Sequence, residues 1–217
     1  EVYNEQIAQS GPVLQDAFST DSQEDPTYLG ILNLNEDGVM GSLEIPKIHV
    51  YLPIYHGTSA ESLRRGVGHL EGSSFPIGGE STHSILTGHR GLPQAELFTD
   101  LDQLEEGDVF YIHILEETLA YEIYEIETVE PENVESLTIQ EGRDLVTLVT
   151  CTPYGINSHR MLVHAQRIPY EEAEEYDSAQ AVQENLLGWL LKQKTLWLSA
   201  GIVLLLILYG VIQCIRI

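Results

Sequence analysis

The chain has 217 residues, with 34 Asp and Glu against 10 Lys and Arg, for a formal charge of −24. That balance repels phosphate, which excludes nucleic acid as a partner, and it reads as a solvated acidic surface. With 43% apolar residues the chain can bury a core, and one globular domain with appendages is the natural organisation at this length.

In chain order, Glu1 to Ser10 is polar, with sparse apolar residues at Val2, Tyr3 and Ile7, and reads as a weak amphipathic helix. Ser10 to Asn35 holds Gly11-Pro12, Asp25-Pro26 and several Ser, Thr and Asp, and reads as irregular. From Met40 the pattern changes to short strands split by turn residues. The candidates are Gly41 to Ile45, Ile48 to Ile54, His83 to Thr87, Val109 to Leu115, Thr118 to Ile126, Leu145 to Thr150 and Met161 to Ile168. Tyr121 to Ile126 interleaves acidic and apolar residues, as a strand with one wet face does. Pro46 and Pro53 predict edges or bulges. Short helices are expected at Ser59 to Arg65 and Leu92 to Gln103, and turns at Gly78-Gly79 and Gly107-Asp108. Such a pattern predicts an all-β sandwich or barrel.

After Pro169 an acidic run, Glu171 to Asp177, reads as a solvated tether leading into a helix from Ala181 to Leu191. Thr195 to Ile215 then carries no charge across 21 residues, enough to span about 30 Å of hydrocarbon as a helix. Trp189 and Trp197 lie near one edge, where an aromatic belt sits. A transmembrane helix is therefore predicted over residues 195–215. Lys192 and Lys194 precede it and Arg216 follows, so the charges visible here run against a cytoplasmic C-terminus. The chain opens without Met, which predicts a leader or an N-terminal span ahead of Glu1.

Chemistry concentrates in Leu145 to Arg160. Cys151 ends a β-branched apolar run, and Thr152-Pro153-Tyr154-Gly155 breaks it. The thiol thus sits where a rigid strand meets a loop that can admit substrate. At its reference pKa of about 8.5 a thiol is mostly protonated at neutral pH and needs a base or a nearby cation. His89 ends another short strand, in Thr87-Gly88-His89-Arg90-Gly91, and is the best candidate for the base. Arg160 can supply a fixed positive charge for an oxyanion. Arg90, beside His89, is its rival, and position relative to the cysteine strand favours Arg160.

These segments resemble the sortases, the cysteine transpeptidases of Gram-positive cell surfaces. The resemblance is carried by Thr147-Leu148-Val149-Thr150-Cys151, by Gly88-His89 and by Arg160, and is nearest to the pilus-assembling class C enzymes. It runs from about Tyr3 to Tyr170, through Ile45-Pro46-Lys47-Ile48, Leu52-Pro53-Ile54-Tyr55-His56-Gly57-Thr58 and His89-Arg90-Gly91-Leu92-Pro93. It implies a closed β-barrel of about eight strands over residues 40–170, with a lid within residues 1–39, a tether at 171–194 and an outward-facing catalytic domain. By the resemblance, His89, Cys151 and Arg160 form a catalytic triad that cleaves a Leu-Pro-x-Thr-Gly-like sorting signal and joins pilin subunits by isopeptide bonds. The implied partners are pilins and the cell membrane, and no cofactor is implied. The alternatives are a wall-anchoring sortase, whose acceptor is a peptidoglycan precursor amine, and a non-catalytic surface module.

The class C lid carries Asp-Pro followed by an aromatic residue, and the match here is imperfect. Asp16-Ala17-Phe18 lacks the Pro, while in Asp25-Pro26-Thr27-Tyr28 the ring comes one residue late. Placement relative to Tyr3-Asn4 favours Asp16 and Phe18. Without Pro, the Asp16 anchor is less restricted and a looser lid is expected. Eight histidines raise the question of a metal, but there is no Cys-x-x-Cys and no His-Glu-x-x-His. His49, His56, His69 and His113 read as hydrogen-bonded framework. Gly66-Val67-Gly68 lacks the Lys-Ser/Thr of a phosphate loop.

Overall fold

The structure, a computed structural model, describes residues 1–12, 14–19, 25–91, 97–174 and 176. Eight strands close into a barrel: β1 (Val39–Ile45), β2 (Val50–His56), β3 (Val67–His69), β4 (Thr82–Thr87), β5 (Val109–Ile114), β6 (Glu117–Val129), β7 (Asp144–Thr152) and β8 (His159–Ile168). Around the barrel the order is β1-β2-β3-β4-β7-β8-β6-β5. The β2–β3 and β4–β7 contacts are parallel and the rest antiparallel. The all-β barrel expectation is borne out, with one strand more than the candidates read from the sequence.

The barrel interior is filled by inward residues such as Leu43, Ile54, Leu86, Phe110, Ile112, Leu148 and Val163. On β4, β7 and β8 the outward residues Ile85, Val149 and Leu162 are also buried, in a second cluster with Ala17, Leu70, Val129 and Leu137. Leu14 and Phe18 pack against that cluster. Burial on both faces explains why β4 and β7 read as continuous apolar runs rather than alternating ones. In β6 the register shifts between Ile123 and Glu125, and this bulge resets the phase of the alternation. Pro53 sits on β2 just before its pairing with β3 begins at Ile54, where a missing N–H costs no ladder bond on that side.

Two N-terminal helices lie outside the barrel. Helix α1 (Val2–Ser10) is docked by Asn4, whose side chain donates to the Phe75 carbonyl (3.1 Å) and accepts from the Phe75 amide (2.7 Å). Tyr3 lies 4.6 Å from the Phe75 ring between centroids. Helix α2 (Pro26–Gly30) falls in the stretch read as irregular. It is started by Asp25, whose carboxylate accepts from the Thr27 amide, and by Pro26 at the first helical position. Helix α3 (Ser62–Arg65) is shorter than its predicted span. Of the predicted Leu92 to Gln103 helix, only a 3-10 turn at Leu101–Gln103 is found, and residues 92–96 lie outside the described residues. The tether starts as helix, at residues 170–174. The predicted helix at Ala181 to Leu191 and the predicted membrane span at residues 195–215 also lie outside the described residues. Among the described residues, no helix is long and apolar enough to cross a membrane.

Candidate active site

Parallel pairing of β4 with β7 sets the geometry. The register reaches Thr87 opposite Val149, and the Gly88 amide carries the ladder on by donating to the Val149 carbonyl (3.0 Å). His89 and Cys151 each lie two residues beyond that last pair. On the other side of β7, Cys151 is paired with Arg160 of β8. Cys151 and Arg160 form one row across β7 and β8, and His89 follows the end of β4 on the other side of β7. Strands lie about 4.8 Å apart, and residues in one row project to the same face.

Two contacts fix His89 at the end of its strand. The Thr150 hydroxyl donates to the Gly88 carbonyl (2.8 Å), tying β7 to the residue before His89. Gly88 is packed so closely that a Cβ there would lie 2.6 Å from the Phe98 ring, which only glycine avoids. Thr150 enters the sequence reading only as part of the cysteine motif, although a buried Thr next to a cysteine needs an acceptor for its hydroxyl.

The thiol is 9% exposed. Burial pushes its pKa up; the Arg160 charge pulls it back down and the Asp16 carboxylate pushes it up again. His89 is pushed down, first by burial and then by the positive charge of Arg64 on α3. Both shifts favour the neutral forms, thiol and imidazole. Nothing in the sequence pointed to Arg64, which reaches the site only because α3 packs beside β3.

Arg160 is engaged from two sides. Its Nε donates to Asp16 Oδ1 (2.8 Å) and its Nη2 to Asp16 Oδ2 (2.7 Å), a two-pronged ion pair. Its Nη1 donates to the carbonyls of Asn157 (3.2 Å) and His159 (3.1 Å). The Phe18 ring lies 5.0 Å from the guanidinium carbon and 5.5 Å from the His89 ring between centroids, and so covers the row. Asp16 also accepts from the Phe18 amide (3.4 Å), an Asx turn that aims the ring without a proline. Asp25 and Tyr28 make neither contact. Tyr28 is buried in the barrel core, and its hydroxyl meets His69 and the Gly57 amide.

Arg90 points away from the row. It pairs with Asp102, its Nε donates to the Thr99 carbonyl (3.1 Å), and its guanidinium lies 5.6 Å from the Tyr154 ring. Of the other histidines, His159 precedes Arg160 on β8 and its ring nitrogen meets the Ser158 hydroxyl (2.8 Å). His56 and His69 bond backbone carbonyls, and His113 meets Glu44. His49 departs from the framework reading: it is exposed, in left-handed backbone. His83 and His164 share the Thr147 hydroxyl, at 2.7 and 2.8 Å. Among the described residues, no group of three or more His, Cys, Asp or Glu is arranged to hold a metal ion.

A family model described as the Sortase domain matches residues 43–168. Sortase D of Bacillus subtilis is 33% identical over 131 residues, a match covering 59% of this chain and 63% of that protein. Sortase A of Streptococcus agalactiae is 31% identical over 131 residues, covering 59% and 52%. The matches thus take in between about half and two thirds of these curated relatives. The crystal structure of sortase C-1 from Actinomyces oris is 49% identical, with a TM-score of 0.71, covering 77% of this chain and 95% of that one. That of sortase C1 from Streptococcus agalactiae is 50% identical, also with a TM-score of 0.71, covering 77% and 85%.

A closed eight-stranded barrel with a cysteine at the end of β7 paired to an arginine of β8, matched by the Sortase domain model, defines the class. The chain belongs to the sortase family, and its structural neighbours are class C sortases. Sortases are cell-surface, membrane-associated enzymes, and those of class C act on substrates bearing sorting signals, such as pilins.

Proposed function

We propose that this protein is a pilus-assembling cysteine transpeptidase in which Cys151, His89 and Arg160 carry the chemistry. His89 takes the thiol proton as the Cys151 sulfur bonds to the threonine carbonyl of a Leu-Pro-x-Thr-Gly-like signal. Arg160 holds the developing oxyanion. The Thr–Gly C–N bond then breaks, and the imidazolium returns its proton to the leaving amine. A lysine amine of another pilin attacks the thioester, gives a proton to His89 and leaves an isopeptide bond, freeing the thiol. The reading rests chiefly on one observation, the pairing of Cys151 with Arg160, and is supported by the Phe18 ring that lies against both Arg160 and His89.

Asp16 and Phe18 act as a lid in this reading. The carboxylate occupies the fork of Arg160 that an oxyanion would use, so substrate must displace it. The neutral resting pair fits a site held idle until that happens. The apolar segment at residues 195–215 anchors the enzyme in the membrane, with the barrel outside the cell.

The test is mass spectrometry of products formed with a purified pilin. The intact enzyme should give a high-mass ladder, while Cys151→Ala gives none and remains folded. Arg160→Lys should lose most activity, because an ammonium does not reproduce the planar fork. A full-rate Arg160→Lys enzyme would remove the guanidinium from the mechanism.

A further inference from the structure

We infer that Arg90 is a positioning residue for His89, acting through a clip that joins the histidine segment to the loop between Cys151 and Arg160. The inference rests on the reading of His89 as the proton carrier. His89 follows a strand end, and its main chain is pinned there on the upstream side. Downstream, its carbonyl accepts the Phe98 amide (3.0 Å), and among the described residues further hydrogen bonds to the segment run through Arg90 and Gly91.

The Arg90 side chain is only 8% exposed, which is unusual for an arginine and demands partners. It has three. Asp102, half-exposed, takes its charge; the Thr99 carbonyl takes its Nε–H; and the Tyr154 ring lies across its face at 5.6 Å. The Gly91 amide adds a bond to the Thr99 hydroxyl (3.2 Å). Gly91 itself has a φ of +75° and lies so close to Tyr154 that a Cβ would be 2.8 Å from the ring. Tyr154 stands three residues after the thiol, in the loop that returns the chain to Arg160. One planar cation therefore bridges the turn at 99–102, the His89 segment and the Cys151–Arg160 loop.

Its charge is consumed by Asp102, and neither the thiol nor the imidazole has Arg90 among the charges that shift it. The contribution is geometric: the clip sets the distance between imidazole and sulfur. A displacement of about 1 Å in such a pair costs on the order of 100-fold in rate.

The test uses cleavage of a short sorting peptide by the intact chain. Arg90→Gln and Asp102→Asn should each lower kcat by about 10- to 100-fold with KM held, because the clip orients the imidazole rather than the peptide. Arg90→Lys should recover only part, since it keeps the charge but loses the Nε donor and the flat face. Tyr154→Leu, at a residue 59% exposed and so without risk to folding, should give a smaller loss of the same kind. In Arg90→Gln the His89 imidazole, freed into solvent, should titrate higher by NMR than in the parent. If Arg90→Gln folds poorly, Asp102→Asn and Tyr154→Leu decide. Parental kcat in these variants, or a loss confined to KM, overturns the clip while His89→Ala remains inactive. A fully active His89→Ala instead overturns the reading of His89 itself.

Discussion

Asp16→Ala separates the lid from the chemistry. The wild-type pair comprises two charge-assisted hydrogen bonds between side chains 11% and 21% exposed. Charged hydrogen bonds contribute about 1.5–3 kcal/mol when buried, against less than about 1 kcal/mol for an exposed ion pair. Partial exposure here places the loss at about 2 kcal/mol. Contacts of Leu14, Ala17 and Phe18 with the outer cluster survive the substitution. A loss of about 2 kcal/mol raises the open fraction about 30-fold. The assay is alkylation of Cys151 by a neutral reagent, iodoacetamide, followed from neutral to alkaline pH. Two effects must be told apart, because the Asp16 carboxylate also pushes the thiol pKa up. Removing that charge moves the midpoint of the rate profile to lower pH and leaves the alkaline plateau nearly unchanged. Lid release raises the plateau itself, by the same factor as the open fraction. A plateau that matches the parent, with only the midpoint moved, would refute the gating argument.

The other expectations concern stability. Tyr28→Phe removes a buried hydroxyl that meets the His69 ring (2.9 Å), the His69 carbonyl (3.1 Å) and the Gly57 amide (2.9 Å). Denaturant unfolding should show a loss of about 2 kcal/mol, since buried partners are left unpaired; a near-neutral result contradicts the burial argument. Burial lowers the pKa of His69 and of His83 from 6.5 to about 4, so the unfolded chain takes up those protons before the folded one does. Stability from these two residues is therefore full above 6.5 and is lost as pH falls from there towards 4. Unfolding free energy measured at graded pH should fall across that window, and a rise on acidification would show that the rings are not held neutral.

The candidate site was read from residue type joined to a resemblance: a thiol after a β-branched run, a histidine at a strand end and a distal arginine became a triad only through the sortase motifs they sit in. Short strands without long helices gave an all-β sandwich or barrel, and the sortase resemblance chose the closed barrel. The missing strand, β3, is three residues in a glycine-rich stretch, too short for any period to show. Helix α2 is five residues long and is made by a cap and a proline rather than by an apolar stripe. The two Asp-aromatic segments are alike as sequence, and only packing separates them: Tyr28 has barrel walls around it, while Phe18 lies against Arg160 and His89. Arg90 was visible as a cation beside His89. Its engagement with Asp102 and Tyr154 depends on loops whose approach no local pattern encodes.

The position of β8 has a consequence for biosynthesis. It is the last strand in the chain, yet it lies between β7 and β6 and so closes the ring. Until it is made, the other seven strands form an open sheet bounded by two long unpaired edges. One of those edges is the 13-residue β6 and the other the apolar β7, the kind of edge that recruits other chains. Asp16 is synthesised 144 residues before its partner Arg160, which arrives on that same final strand. Ring closure, protection of the sheet edges and sealing of the thiol thus all wait on the same ten residues.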